Sequence, residues 1–446
     1  MRVLLLLGAA CHPAVALHRP LVAGARARQP VAAAAGAPPA VLCVGECLFD
    51  GLPAGVFLGG APLNVAVHLS ALGVRTSFAS AVGDDRLGVE AVRRLDSRGV
   101  DTSLVSTVAA ETGFVTVELD GAGDASYEFA TPAAWDLVPS DGVADAAGVA
   151  DAVVYGTLAS RAAATREAIR EARMSARLAV CDINLRPPFD DAELVAEAAR
   201  GADLLKLADE EVAAVAAALQ AAADDIVRRF ADADAVADAE AAAAAVAAAE
   251  GLDAGGAVGA ALAAAALGRA AGAACVVVTR GAAGAVLWQR GNSVGIGGEE
   301  AFSSGGYGCG HAVGSGGGSG GGAGVTVDTV GAGDAFLAAL LSSRLSGACA
   351  AEALEAGCRL GAFVASRQGA TPEHDAAAIA ALEPAGGGAS VCLTRELLEA
   401  RAAVTGAGRP LPMQGGAAVE CVGEPSIDPS VVAAARAGDS EWANEG

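Results

Sequence analysis

Past residue 40 the chain repeats one pattern: a short apolar run, a polar turn, then a longer amphipathic or small-residue stretch. VLCVGECLF (41–49) ends at Asp50 and predicts a buried strand with a polar residue at its carboxyl end. GGAPLNVAVHLSALG (59–73) predicts a helix that stops at Gly73. TSFASAVG (76–83) predicts the next strand and LGVEAVRRLDSRG (87–99) the next helix. FVTVEL (114–119) and YEF (127–129), joined by DGAGDA, predict a hairpin that interrupts the rhythm and forms a separate flap. DAVVYG (151–156), RLAVCDIN (177–184), DLLKLA (203–208) and CVVVTRG (275–281) predict four further strands with helical runs between them. Such alternation defines an α/β fold with a mostly parallel sheet covered by helices. Residues 231–274, nearly all Ala with Asp, Glu and Gly, predict a helical insertion on the surface. The Gly/Ser stretch 303–324 predicts a flexible loop, and 385–446 a C-terminal tail.

Composition narrows the partners. The chain has 446 residues, 53% of them hydrophobic, which excludes global disorder. Its net charge of −23 argues against nucleic acid or an anionic membrane as partner. A phosphorylated ligand would have to be held by local devices, a helix N-terminus or a metal ion. The 29 basic residues comprise one lysine, Lys206, and otherwise arginine, a ratio that fits GC-rich coding bias. It also excludes the phosphate-loop lysine of a Walker motif and the strand lysine of protein kinases, since LLKLADEE (204–211) fits neither. The cysteines form no C-x-x-C pair and the histidines no H-E-x-x-H, which argues against a structural zinc site. Cys43 and Cys47 read as small apolar fillers of a buried strand.

Residues 1–40 contain no Asp or Glu. VLLLLGAA after Met1-Arg2, then AVA, reads as a secretory-type signal, and HRPLVAGARARQPVAAAAGAPPA resembles a transit peptide. The combination resembles the two-part leader of proteins sent to complex plastids; simple secretion and a cytosolic tail are the alternatives. The mature protein is expected to lie off the membrane.

The strongest chemical signal is Asp328-Thr-Val-Gly331-Ala332-Gly333-Asp334-Ala-Phe ahead of an apolar helix. Two glycines permit unusual backbone angles, and the helix start presents unpaired N–H groups and a positive dipole end, so an anion fits there. Asp334 at that helix start could take a proton from a hydroxyl beside the anion, or could be a plain N-cap after a glycine turn.

DTVGAGDAF resembles the C-terminal signature of the ribokinase/PfkB carbohydrate kinase superfamily, and GGAPLNVAVHLSALG followed by VGDDRLG (82–88) resembles its N-terminal signature. TGFVTVELD (112–120), AWD (134–136), YGTLASR (155–161), DINLRPPF (182–189), VVVTRGAAGA (276–285) and SRQGATP (366–372) match in order, over roughly 41–380. GGAPxNVA with DxNLRPP is most similar to the fructokinase branch. The resemblance implies a ribokinase-like three-layer α/β/α domain over 41–384 with a small β lid about 112–130. It implies ATP-dependent phosphorylation of a sugar with Mg²⁺, and K⁺ in members with a monovalent-cation site. Asp50, Gly59, Gly60 and Asn64 would hold sugar hydroxyls. Asp334 would be the base, with Gly331, Ala332 and Gly333 as the anion hole. Asn184, Arg186, Thr279, Gly281 and Gly284 would line the nucleotide site. Asp328 and Gly369-Ala370 would shape the cation site. Glu211 matches the Glu of N-x-x-E, which helps organise Mg²⁺, but Ala208 stands at the Asn position and Asp209 or Glu210 would have to substitute. The short span from Asp50 to Gly59 leaves little room for another lid strand. The partners implied are a small sugar and ATP, with a homodimer as a further expectation. The competing readings are another ribokinase-type acceptor (ribose, adenosine or a sugar acid) and a non-catalytic fructokinase-like scaffold protein.

Overall fold

The computed structural model describes residues 37–52, 55–119, 125–220, 256–290, 299–307, 309–310, 324–325, 329–382 and 390–393. The leader to residue 36, residues 221–255 of the insertion region, Asp328 and the tail beyond 393 lie outside the described residues.

The strands in chain order are β1 (Ala40–Val44), β2 (Leu48–Leu52), β3 (Gly55–Gly59), β4 (Arg75–Gly83), β5 (Asp101–Val108), β6 (Gly113–Leu119), β7 (Ala125–Phe129), β8 (Ala152–Gly156), β9 (Ala179–Asp182), β10 (Leu204–Ala208), β11 (Cys275–Thr279), β12 (Ala285–Arg290), β13 (Glu299–Ser304), β14 (Cys309–Gly310), β15 (Gly324–Val325) and β16 (Val391–Cys392). The helices are α1 (Ala61–Ala71), α2 (Arg86–Ser97), α3 (Val143–Val149), α4 (Ala163–Ser175), α5 (Ala192–Arg200), α6 (Ala257–Ala271), α7 (Ala332–Leu345), α8 (Ala350–Ala365) and α9 (Ala376–Ala380). Residues 212–220 are also helical.

The main sheet runs β16-β13-β12-β11-β10-β9-β8-β1-β4-β5. β11 through β5 pair in parallel, and β12, β13 and β16 add an antiparallel edge. Apolar strands covered on both faces need two cores, and β1 shows both. Leu42 and Val44 point into one core with residues of α3 to α6, while Val41 and Cys43 point into the other with α1, α7 and α8. This is the expected three-layer sandwich.

Three expectations need correction. The run 41–49 is not one strand: β1 ends at Val44, Glu46 follows as a buried carboxylate, and β2 leaves the main sheet for the lid. Asp50 therefore sits within a lid strand, opposite Phe57 of β3 and Val115 of β6. The span from Asp50 to Gly59 does accommodate a further lid strand, because β3 pairs antiparallel with β2. The lid is thus a four-stranded sheet, β3-β2-β6-β7, of which the expected hairpin supplies only half. Third, residues 257–271 are not surface insertion but the buried helix α6. Alanine lets this helix approach the sheet closely: a Cβ on Gly268 would lie within 2.7 Å of Trp288 Cε3. Two smaller pieces also join the body. Ser303 and Ser304 belong to β13, and the short β16 pairs with it.

Candidate active site

The helix α7 begins at Ala332, with Gly331 as its N-cap in the left-handed region at φ 77°. A Cβ on Gly331 would lie 2.6 Å from Ala370 Cα, so conformation and packing both demand glycine. The Ala332 amide turns back to Thr329 O, and Ala335 is bonded to Gly331 O. The amides of Gly333 and Asp334 between them belong to the unpaired first turn, where the dipole end is positive. The N-cap position is Gly331 and Asp334 lies inside the first turn, which removes the N-cap alternative for Asp334.

Asp334 is 7% exposed and accepts a 2.8 Å hydrogen bond from Asn64 Nδ2 on α1. Burial pushes its pKa up, and Lys206, the Asn64 bond and Arg186 pull it back. Arg186 also lowers the pKa values of Glu46 and Asp50, two further carboxyls raised by burial, the second to about 6. One guanidinium therefore serves three carboxyl groups converging from β1–β2, the lid and α7. Asp50 packs where a Gly59 Cβ would stand, which ties the lid strand to the lid–helix junction, and Gly60 is the N-cap of α1. The four residues expected to hold sugar hydroxyls thus occupy one junction between the lid and α1.

The expected nucleotide residues lie at the carboxyl ends of neighbouring parallel strands, as ligand-binding residues do in open α/β sheets. Asn184 and Arg186 follow β9; Asn184 has φ 44°, and Arg186 Nη1 donates to Leu185 O. Thr279 closes β11, and Gly281 and Gly284 shape the turn into β12. Glu211 is 9% exposed and accepts from Leu185 N and Ala208 N, so both oxygens tie the post-β9 loop to the end of β10. It braces the loops that leave the carboxyl ends of β9 and β10. Ala370 O accepts from His68 Nε2 and supports Gly331, whereas Asp328, the other half of the expected cation site, lies outside the described residues.

Four residues escaped sequence reasoning. Lys206 contacts both oxygens of Asp182 at 2.9 Å in the core. Glu46 accepts from Ala61 N with one oxygen, while its other oxygen is buried without a hydrogen-bond partner among the described residues. His68 pairs with His374. Arg161 binds Asp136 through two 2.9 Å bonds and lies over the rings of Trp135 and Phe189. For Lys206 the available signal was its being the chain's one lysine.

The fold is a three-layer α/β sandwich with a four-stranded β lid beside a buried cluster of carboxyl groups. The comparisons narrow it. The family model for the pfkB family carbohydrate kinases matches residues 54–247 and 321–376. The chain belongs to the pfkB family of carbohydrate kinases, and so to the sugar kinases among enzymes. It is 27% identical over 316 residues to a fructokinase of Rhizobium leguminosarum bv. trifolii, covering 68% of this chain and 79% of the relative. It is 31% identical over 206 residues to fructokinase-2 of rice, covering 41% of this chain and 61% of that protein. Among solved structures it resembles a Vibrio cholerae fructokinase (TM-score 0.54, 22% identity, 77% of this chain and 99% of that one). It also resembles an uncharacterised sugar kinase of Pyrococcus horikoshii (TM-score 0.51, 23% identity, 74% and 93%). These likenesses establish the ribokinase-like fold.

Proposed function

We propose that this chain transfers the γ-phosphoryl group of ATP to a hydroxyl of fructose or a closely similar sugar, with Asp334 as the base. The observation that carries the reading is the Asn64–Asp334 hydrogen bond, which holds a buried carboxylate at the start of α7 beside the lid. A carboxylate raised by burial is a stronger base than a solvated one, and Asn64 fixes the oxygen it bonds. Asp50, Asn64 and the Gly59-Gly60 junction orient the sugar so that its reacting hydroxyl meets Asp334. Asp334 accepts that proton as the oxygen attacks phosphorus, while the amides of Gly331 and Gly333 receive the charge on the migrating group; the Ala332 amide, expected to join them, is already bonded to Thr329 O. Mg²⁺ bound together with the nucleotide would supply further charge neutralisation. The residues suit a cation held mainly by phosphates and water, since Asp182 is spent on Lys206 and Glu211 on backbone amides. The lid keeps water from the transferred group. Surface charge of −23 does not prevent nucleotide binding, because it is screened beyond roughly 8–10 Å.

The fructokinase relatives support the choice of sugar. The decisive experiment is a panel of sugars, sugar acids and nucleosides with purified protein and MgATP. Fructose should give the highest kcat/KM, and Asp334→Ala should lose turnover by orders of magnitude while remaining folded. Ala208 in the Asn position favours a second reading, a non-catalytic scaffold, and equal inertness of wild type and Asp334→Ala across the panel would establish it. For the monovalent cation, titration with K⁺ should raise kcat/KM. For the leader we propose plastid delivery, supported by the acid-free first 40 residues, and a fluorescent fusion that stays cytosolic would refute it. A homodimer is proposed as well, and sedimentation tests it. No helix among the described residues is long and apolar enough to cross a membrane.

A further inference from the structure

In a chain that uses arginine for every other basic position, the one lysine lies 6% exposed at the centre of the sheet. Its Nζ is 2.9 Å from both oxygens of Asp182, whose side chain is 4% exposed. A Cβ on Gly333 would lie 2.9 Å from the same nitrogen. The ammonium therefore stands directly against the first turn of α7. Glycine at 333 lets the ammonium stand this close, since a side chain there would press on it. Arginine would not serve, since a planar guanidinium is broader than a single ammonium and needs space that Gly333 and Asp182 leave only for one nitrogen.

We propose that Lys206 is a positioning residue of the phosphoryl-transfer step: its ammonium, clamped by Asp182 behind Gly333, fixes the anion-hole turn and strengthens the positive potential there. The proposal rests on the kinase reading above. The helix end alone is equivalent to roughly +0.5 charge. A full positive charge behind Gly333 adds to it in a buried setting where water screens little. The ammonium also acts on Asp334, as its lowering of that pKa indicates. The groups that hold Lys206 protonated are Asp182, Asp334 and Glu211. The cation thus supports both the ionised state of the base and the amides beside it, and Asp182 supplies the counter-charge that permits its burial.

Lys206→Met alone would leave Asp182 buried and uncompensated, so the informative variant is the neutral pair Asp182→Asn/Lys206→Met in the full chain. Replacing both partners of a buried pair is often tolerated. The double variant should melt cooperatively, keep the sugar KM within about threefold, and lose kcat by roughly 100-fold, the order lost with one oxyanion-type donor. Lys206→Arg should not restore kcat. Because the chain has a single lysine, protein labelled with ¹⁵Nζ-lysine gives one side-chain ammonium resonance. That resonance should move when MgADP, fructose and aluminium fluoride are added together, and move less with MgADP alone. A folded double variant with wild-type kcat, or an ammonium signal indifferent to the fluoride complex, overturns the role of Lys206 while leaving the kinase reading intact. An inert wild type overturns the kinase reading and this role with it.

Discussion

Asn64 donates its side-chain amide to Asp334 at 2.8 Å across 270 residues of sequence, joining the N-terminal and C-terminal signature segments in one bond. The Nδ2–H must donate to the carboxylate, so the amide oxygen of Asn64 points elsewhere, and it is buried without a hydrogen-bond partner among the described residues. An orphaned acceptor costs folding energy and gains a partner only when a donor such as a hydroxyl arrives.

Asn64→Leu removes that orphaned acceptor but also takes a partner from the Asp334 carboxylate, so the two effects on stability should offset to within about 1–2 kcal/mol, while kcat falls about 100-fold as the base loses its orientation. Removing the bond also removes one of the groups lowering the pKa of Asp334, so the acid limb of kcat/KM should move to higher pH. Thermal melts and a pH–rate profile check both halves. A variant that melts several degrees lower with an unmoved acid limb would show Asn64 to be structural only.

Asp50 gives a similar exchange of stability for function. Burial raises its pKa from 3.8 to about 6, opposed by Arg186. A carboxyl whose folded pKa is raised holds its proton longer when folded, so stability is full near pH 4 and is lost as pH climbs through 6. Asp50→Asn should then be more stable than wild type at pH 8 by up to roughly 3 kcal/mol, and equal to it near pH 4. Its sugar KM should rise at least tenfold if Asp50 binds the acceptor. Urea unfolding at the two pH values tests the first claim and steady-state kinetics the second.

Much of this site was legible because its chemistry is written locally: Gly331-Ala-Gly-Asp334 announces a tight turn into a helix, and Gly59-Gly60 another. The parallel strands β1, β8, β9, β10 and β11 were legible because both faces are buried and their sequences are continuously apolar. The same signal misled at 41–49, where apolar residues run on from the main sheet into the lid and only Glu46 marks the break. The edge strand β5 was missed because half-buried positions dilute its alternation. The alanine helix α6 read as surface because alanine carries little hydrophobic signal, whereas its burial comes from close approach to Trp288. Lys206, His68 and Arg161 were illegible for a different reason. Their partners are distant in sequence, and a residue type without its partner does not reveal whether it is spent on solvent or on the core.

Arg161 is the clearest structural case among those three. It is 8% exposed, bidentate to Asp136, and lies 3.8 Å from the Trp135 ring and 4.4 Å from that of Phe189. Phe189 in turn meets Phe129 of the lid edge to face. Arg161→Met keeps apolar volume but strands the Asp136 carboxylate, and should cost about 3–5 kcal/mol, the usual penalty for breaking a buried pair. Asp136→Asn/Arg161→Met should cost distinctly less. Denaturant titrations of the set decide it, and a loss under about 1 kcal/mol for Arg161→Met, typical of exposed pairs, would place the pair in solvent.

His68 supplies a pH dependence of the opposite sign to Asp50. Its ring is fully buried, with Nε2 at 2.9 Å from Ala370 O and Nδ1 at 2.9 Å from His374 Nε2. A carbonyl can only accept, so Nε2 carries the proton and Nδ1 accepts from His374. A second proton on His68 would break that pair, and burial pushes the pKa from 6.5 down to about 4, with His374 and Arg98 adding to the shift and the Ala370 carbonyl opposing it. The unfolded chain thus takes up a proton near pH 6.5 that the folded protein refuses until about pH 4. Stability from this residue is complete above 6.5 and drains away as pH falls, by up to roughly 3 kcal/mol. Asp50 and Asp182, both raised, tilt the wild-type profile the other way, so only the difference from a variant isolates His68. His68→Gln retains a donor for Ala370 and cannot titrate. Its stability relative to wild type should improve progressively between pH 7 and pH 4.5, and curves that stay parallel over that interval would mean that His68 takes up its proton at the same pH in the folded and the unfolded chain.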